Sequence, residues 1–277
     1  MTYQEEAARA AALLSEAGVP DASYDAGLLL EFCCRMNRTG YLLHCREEMP
    51  EGDAESFHRL VRQRAQRIPL QHLTGEQEFM GLCFRVSGQV LIPRQDTEIL
   101  VEQALGRCKR GMRVLDLCTG SGCIAVSLAV LGGCSVTAAD LSWEALKIAE
   151  ENAARWKAEV RFLQGDLFEP VTGQFDMIIS NPPYICDDEI PELMPEVRLH
   201  EPLMALQGGH DGLDFYRRIV SEGIHYLVPG GWMMLEIGCD QGREVSELMR
   251  RHGLTEVTVT RDLAGLDRVV SGRLSPD

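Results

Sequence analysis

The tetrapeptide Asn181-Pro182-Pro183-Tyr184 brings together groups suited to holding a planar NH2. The Asn side chain offers one carbonyl acceptor beside an NH2 donor. Pro182 adds a backbone carbonyl in a chain stiffened by two consecutive rings. Two acceptors aimed at one point match the two N–H bonds of a carboxamide or an exocyclic amine, and the Tyr184 ring stands beside the flat group. The same string alone also reads as a proline-rich turn with Asn as its cap. Its surroundings decide between the two.

An apolar run, Phe175-Asp176-Met177-Ile178-Ile179-Ser180, precedes it and reads as a buried parallel strand. The prolines end that strand, because neither can donate to a ladder. The stiff turn therefore falls at the carboxyl end of a parallel strand, where open α/β sheets place ligands.

A second cluster lies upstream. Val114 to Leu117 reads as a strand that turns through Cys118-Thr119-Gly120-Ser121-Gly122 into a helix. Gly120 and Gly122 let backbone come close to a ligand. The loop alone is compatible with NAD, FAD or S-adenosylmethionine. Asp140 ends the next strand, about twenty residues beyond the loop, where a carboxylate meets ribose hydroxyls. The same Asp would also serve as a helix cap ahead of Trp143. In Gly165-Asp166-Leu167-Phe168, Asp166 can accept from an adenine amino group and Leu167 can pack the ring; capping a turn is the alternative. Two features favour S-adenosylmethionine over a dinucleotide. Ala125 stands where the third glycine of G-x-G-x-x-G would be, a modest argument. The amine-holding turn at the mouth is the stronger one. Arg94 is placed beside the pocket, to touch substrate, order a lid or pair with a carboxylate across domains. Glu201 is read as a pocket or turn residue, and His200 and His210 as surface loop residues.

These residues need a frame. Residues 2–68 read as helices: one carrying Ala7, Ala11 and Leu14, a second capped by Asp21 or Ser23, a short third over Thr39–Cys45 and a fourth over Glu51–Ile68. Arg59, Arg62, Arg64 and Arg67 fall on the fourth and read as a solvated face. Gln77–Met80 and Cys83–Val86 look like hairpin strands around a Gly81 turn. From Asp96 strands and helices alternate, which implies a mostly parallel doubly wound sheet closed by an antiparallel hairpin over Thr255–Thr260 and Asp267–Arg273. The domains are accordingly 1–70 helical, 71–95 a β-hairpin connector, and 96–277 the sheet domain.

The 277 residues carry a formal charge of −15, of which residues 1–70 hold only −3. A nucleic-acid binder usually shows a basic stripe, so the balance argues against direct nucleic-acid binding. The acidic start is not a signal peptide and no apolar stretch is long enough for a bilayer, so no membrane role is expected. Ten cysteines without a CxxC or Cys/His pattern read as reduced, small buried hydrophobes in a cytoplasmic protein, with no metal.

The chain resembles the bacterial protein-(glutamine-N5) methyltransferases that act on peptide chain release factors. The likeness runs through Leu73-Thr74-Gly75-Glu76, Leu91-Ile92-Pro93-Arg94 with Asp96-Thr97-Glu98, the Asp116–Gly122 loop, Gly165–Phe168 and Ser180–Ile185. It continues through Glu201-Pro202, Gly208-Gly209, Asp211-Gly212-Leu213, Glu236-Ile237-Gly238 and Asp267-Arg268-Val269-Val270. The tetrapeptide is shared with enzymes that methylate amines of DNA and RNA; the other segments are more specific. The resemblance implies a Rossmann-like class I S-adenosylmethionine-dependent methyltransferase sheet, a helical substrate-recognition domain and a hairpin between them. It implies methyl transfer to the Gln of the Gly-Gly-Gln loop in class I release factors, leaving S-adenosylhomocysteine. Cys118 to Gly122, Asp140, Asp166, Leu167 and Asn181 would then meet the cofactor. Asn181 to Tyr184, with Arg94, would meet the Gln. Members of the family commonly have Gly where Cys118 stands and Pro where Gln95 stands, so the Cys118 side chain is expected to turn from the cofactor. An adenine-N6 methyltransferase fits the same acceptors but not the charge; a non-catalytic binding protein fits poorly with an intact loop and tetrapeptide.

Overall fold

Thr2 opens the helical unit. Its hydroxyl accepts from the Glu5 N–H at 3.2 Å and Glu5 Oε2 accepts from the Thr2 N–H at 2.9 Å, a reciprocal cap for α1 (Tyr3–Glu16). α2 (Ala22–Cys34), α3 (Arg38–His44), α4 (Glu51–Ala65) and a one-turn α5 (Leu70–Thr74) follow. Asp21 stands at the N-cap of α2, but its side chain makes no capping bond. Leu14, Leu29, Leu30 and Phe57 are fully buried and form the centre of this unit's core. The computed structural model describes residues 1–276, and the helical unit comprises Met1–Glu76 together with Met194–His200.

The arginine group of α4 differs from the solvated face expected of it. Arg64 is buried, with Nε on Asp25 at 2.7 Å and Nη2 on Glu196 at 2.9 Å. Arg67, past the end of α4, grips both oxygens of Glu196 at 2.7 and 2.6 Å. Helical periodicity locates a face but not the carboxylates that come to it from α2 and from residue 196.

The second unit comprises Gln77–Leu193 and Glu201 onward. β1 (Glu76–Phe79) and β2 (Leu82–Arg85) form the hairpin, and Met80 and Gly81 both have positive φ between them, as a two-residue type I′ turn requires. α6 (Gln95–Leu105) leads into β3 (Arg113–Leu117), α7 (Cys123–Gly132), β4 (Ser135–Asp140), α8 (Trp143–Trp156), β5 (Val160–Gln164) and β6 (Phe175–Ser180). After β6 come a 3-10 turn at Asp187–Glu192, α9 (Pro195–His200) in the helical unit, and a second 3-10 turn at Leu203–Ala205. α10 (Asp214–Gly223), β7 (Leu227–Glu236), α11 (Gly242–Arg251), β8 (Leu254–Arg261) and β9 (Asp267–Leu274) complete the chain. Helix α5, α9 and the 3-10 turns have no counterpart in the sequence reading, being too short for periodicity to register.

The seven strands run β5-β4-β3-β6-β7-β9-β8, parallel through β7 and antiparallel at β9 and β8. Successive side chains alternate between two cores. Val114, Met177, Ile179 and Met234 face α6 and α7; Leu115, Leu117, Ile178 and Leu235 face α10 and α11. Burial on both faces explains the unbroken apolar runs of β3 and β6. The chain winds outward from β3 through β4 and β5, then resumes on the other side at β6. That reversal opens a crevice at the carboxyl ends of β3 and β6. Among the described residues no helix is long and apolar enough to cross a membrane.

Candidate active site

A cavity of about 310 Å³ lies at that crevice, within the sheet unit. The loop after β3 forms its floor. Gly122 takes φ +78°, and a Cβ there would lie 2.9 Å from Ala149 Cβ, so only glycine lets α7 start this close to α8. Three polar side chains hold the loop from outside the cavity wall or at its edge. Thr119 donates to Asp116 Oδ2 at 2.6 Å, the Gly120 N–H donates to Asp140 Oδ2 at 2.8 Å, and Asn152 donates to the Ser121 carbonyl at 2.9 Å. Cys118 sits on the cavity wall with φ +58°, a left-handed conformation that favours glycine. Its thiol is pushed up by burial and lies against Ser180.

Asp140 lines the cavity from the end of β4. Its other oxygen accepts from the Ser142 N–H at 2.9 Å, while Ser142 itself caps α8. Asp140 therefore braces the turn before the cap and is not the cap. Burial raises its pKa, opposed by the hydrogen bonds from Ser142 and Gly120. Asp166 and Leu167 also line the cavity, and Asp166 Oδ2 is paired with Arg218 of α10 at 2.9 Å. Arg218 and Phe215, both from α10, reach the cavity too, and neither was marked by the sequence.

Asn181 and Pro183 of the tetrapeptide line the cavity directly. Pro182 is buried behind them and Tyr184 is largely buried against the α10 side of the sheet. The Asn181 side chain donates to Thr97 Oγ1 at 3.2 Å. The Tyr184 carbonyl accepts from Gln241 Nε2 at 2.9 Å. Gly208 packs on Tyr184 so tightly that a Cβ there would fall 2.7 Å from Tyr184 Cα. The turn is thus clamped from α6, from the loop before α10 and from the loop before α11.

Arg94 lies on the cavity wall, with Nη2 on Glu201 Oε1 at 2.6 Å. Arg94 does pair with a carboxylate, but within the sheet unit and not across domains as expected. Glu201 is buried and closes this pair; it does not cap the turn at Pro202 by a side-chain bond. His200 ends α9 with its Nε2 buried, and is not the surface loop residue expected. Two other carboxylates are fully buried near the crevice. Asp116 is pushed up to about 7 by burial, opposed by the Thr119 hydroxyl. Glu236, at the end of β7, is likewise pushed up to about 7 by burial, opposed by Thr97, Arg268 and Tyr184. Of the cysteines, only Cys123 and Cys134 are buried; Cys239 is exposed and the rest are intermediate. Small apolar filling therefore describes two of the ten.

The residues present fit S-adenosylmethionine. Gly120 has open space where a Cβ would stand, beside the carboxylate of Asp140. Ser121 Oγ is buried on the cavity wall without a protein partner among the described residues. The lining around Ile124, Leu141 and Leu167 is apolar, as an adenine ring needs. Fold and cavity thus define a class, the Rossmann-like S-adenosylmethionine-dependent methyltransferases. A methyltransferase from Pyrococcus furiosus shares the fold, with a TM-score of 0.56, 21% identity, and coverage of 71% of this chain and 91% of that one.

Sequence comparison narrows the class. Residues 7–75 match the PrmC N-terminal domain and residues 95–196 the methyltransferase small domain. The release factor glutamine methyltransferase of Geobacter sulfurreducens is 44% identical over 263 residues, covering 94% of this chain and 93% of its relative. That of Deinococcus radiodurans is 41% identical over 277 residues, covering 99% of each. The chain belongs to the release factor glutamine methyltransferase family.

Thr97, Gln241 and Glu236 had no role in the sequence reading. Thr97 and Glu236 do fall in segments that carry the family resemblance, which was the only available signal for them. Gln241 left none.

Proposed function

We propose that this protein transfers a methyl group from S-adenosylmethionine to the side-chain nitrogen of the Gln in the Gly-Gly-Gln loop of class I release factors, in the cytoplasm, with Asn181 and Pro182 as the acceptors for its N–H bonds. The supporting observation is the position of Asn181: on the cavity wall at the end of β6, across from the Gly120 loop, with its amide tethered at one end.

A carboxamide nitrogen is a poor nucleophile because its lone pair is delocalised into the carbonyl. S-adenosylmethionine, when bound, supplies the electrophilic methyl. The work left to the chain is to hold the nitrogen and to stabilise positive charge as it grows there. Asn181 Oδ1 and the Pro182 carbonyl do this as fixed dipoles that need no reorganisation. The clamps on Asn181 and Tyr184 hold the turn in register, which supplies proximity. Thr119 to Ser121, Asp140, Leu167 and Asp166 form the cofactor's side of the cavity, Asp166 with its charge shared by Arg218, while Gly122 lies behind the wall against α8. Tyr184 backs the turn from the α10 side, and Arg94 shapes the wall through Glu201. The helical unit recognises the release factor.

The test is transfer of labelled methyl to purified release factor, beside one whose Gly-Gly-Gln glutamine is changed to alanine. Label on the first alone is expected. Label on neither, with cofactor binding intact, would turn the search to nucleic-acid amines. Asn181→Ala is expected to lower turnover by roughly 10²–10³-fold, the scale of losing one preorganised partner of developing charge.

A further inference from the structure

We propose that Cys108 and Cys134 form a dithiol modification site, closed to a disulfide by a hydroperoxide and reopened by a thiol reductant.

The two cysteines ride on segments that the backbone already joins. Cys108 follows α6 and Cys134 precedes β4. Between those segments the Gly111 N–H donates to the Gly133 carbonyl at 2.9 Å, and the Ser135 N–H donates to the Met112 carbonyl at 2.9 Å. The two sulfurs share a hydrogen bond at 3.1 Å. That is about 1 Å beyond a covalent S–S bond, a gap that small side-chain rotations close. Gly132 leaves the space for them: a Cβ there would stand 3.2 Å from Cys134 Sγ and 3.5 Å from Cys108 Cβ. Small apolar filling would explain a cysteine at each position, but it does not require the sulfurs to face each other. Cys134 is 7% exposed, yet Gly133 and Ser135 beside it are exposed and Cys108 is half-buried. The pair therefore lies at the edge of the core, within reach of a molecule as small as hydrogen peroxide. Lys109 and Arg110, both exposed, add positive charge next to it, which favours a thiolate.

The contact also divides the labour between the thiols. In the reduced pair either can donate. Once Cys134 has lost its proton only Cys108 can, and that bond holds the Cys134 pKa below the ordinary thiol value. The Cys134 thiolate attacks one peroxide oxygen: an S–O bond forms, the O–O bond breaks, and the leaving hydroxide takes up the released proton as water. The Cys108 sulfur then attacks the sulfenic sulfur: the S–S bond forms, the S–O bond breaks, and the oxygen leaves with the Cys108 proton as a second water. The thiols give up two electrons and the peroxide accepts them. In a reducing compartment such a bond is transient.

The partners are 26 residues apart, and the closed loop would enclose β3, the glycine loop and α7. Neither cysteine lines the cavity. The bond would stabilise the fold chiefly by restricting the unfolded chain.

The experiment treats the full-length protein with hydrogen peroxide and reads intact mass, a non-reducing peptide map and Tm. Loss of two hydrogens, a Cys108–Cys134 linked peptide, a Tm raised by roughly 5 °C and reversal of all three by dithiothreitol are expected. Cys108→Ser leaves Cys134 without a resolving thiol; it should give no link and no rise in Tm, and dimedone should capture a sulfenic acid on Cys134. A map with both thiols intact, a link between other cysteines instead, or Cys134 carried on to sulfinic acid without a link would overturn the proposal. The map of the unsubstituted protein decides this even if the variant does not fold.

Discussion

Glu196 in the helical unit and Glu236 in the sheet unit are both buried, and their neighbours treat them in opposite ways. Arg64 and Arg67 close on Glu196, and its pKa falls below the ordinary value because those cations outweigh its burial. Glu236 has one oxygen without a partner, and burial wins over the opposing influence of Thr97, Arg268 and Tyr184. Asp116 behaves as Glu236 does. A carboxylate matched by cations holds structure together. One left partly unmatched costs stability, and such groups gather at functional sites because their unspent hydrogen-bonding capacity orients others. Here Asp116 braces the glycine loop through Thr119, and Glu236 lies buried at the end of β7.

The strongest way to break the contrast is on the reaction, where Asn181→Ala should leave stability nearly untouched while turnover falls by the factor given above. Next is Glu196→Ala. It strands Arg64 and Arg67 without their shared partner, and breaking a buried pair from one side costs about 3 kcal/mol. Chemical denaturation of the full-length chain measures it; a loss under about 1 kcal/mol, the value of an exposed pair, would remove the contrast.

The pH dependence of stability should separate the two kinds of carboxylate by sign. Asp116 and Glu236 keep their protons in the folded state up to about 7, whereas their ordinary values are 3.8 and 4.5. Between those limits the unfolded chain has lost protons that the folded chain retains, so their contribution to stability falls as pH rises. Glu196 is the reverse: its contribution is present above the ordinary carboxylate value and is lost as pH drops through its lowered folded value. Denaturation midpoints from about pH 4 to 7 should decline less steeply in Asp116→Asn or Glu236→Gln, and Glu196→Gln should remove a loss confined to more acidic solution. Equal slopes in all three variants would show that the pairing pattern does not govern the titration.

The smallest effect is local. Gln95 is the first residue of α6, after Arg94 at the N-cap. That is where proline fits, its missing N–H being one of the helix's unsatisfied donors. Gln95→Pro should raise stability by roughly 0.5–1 kcal/mol through the unfolded chain, with cofactor binding unchanged. A loss instead would show that the Gln95 N–H has a partner needed at the cavity rim.

The sequence alone determined the order of strands and helices in the sheet unit, because continuous apolar runs and amphipathic periods report which local backbone bonds form. It also determined the glycine loop and the proline turn, whose stiffness and freedom are properties of the residues themselves. Asp140, Asp166, Leu167 and Asn181 could be placed at strand ends for the same reason, and the cavity gathers them. Only the tertiary structure decided which polar groups meet. Asn181 and Thr97 are 84 residues apart, and Arg67 and Glu196 are 129 apart. Nothing in a local period carries such a pairing, so Arg64 read as solvated and Thr97 carried no role of its own. Their partners are selected when the elements pack, because a buried charge or hydroxyl must be answered by whatever the neighbouring element presents.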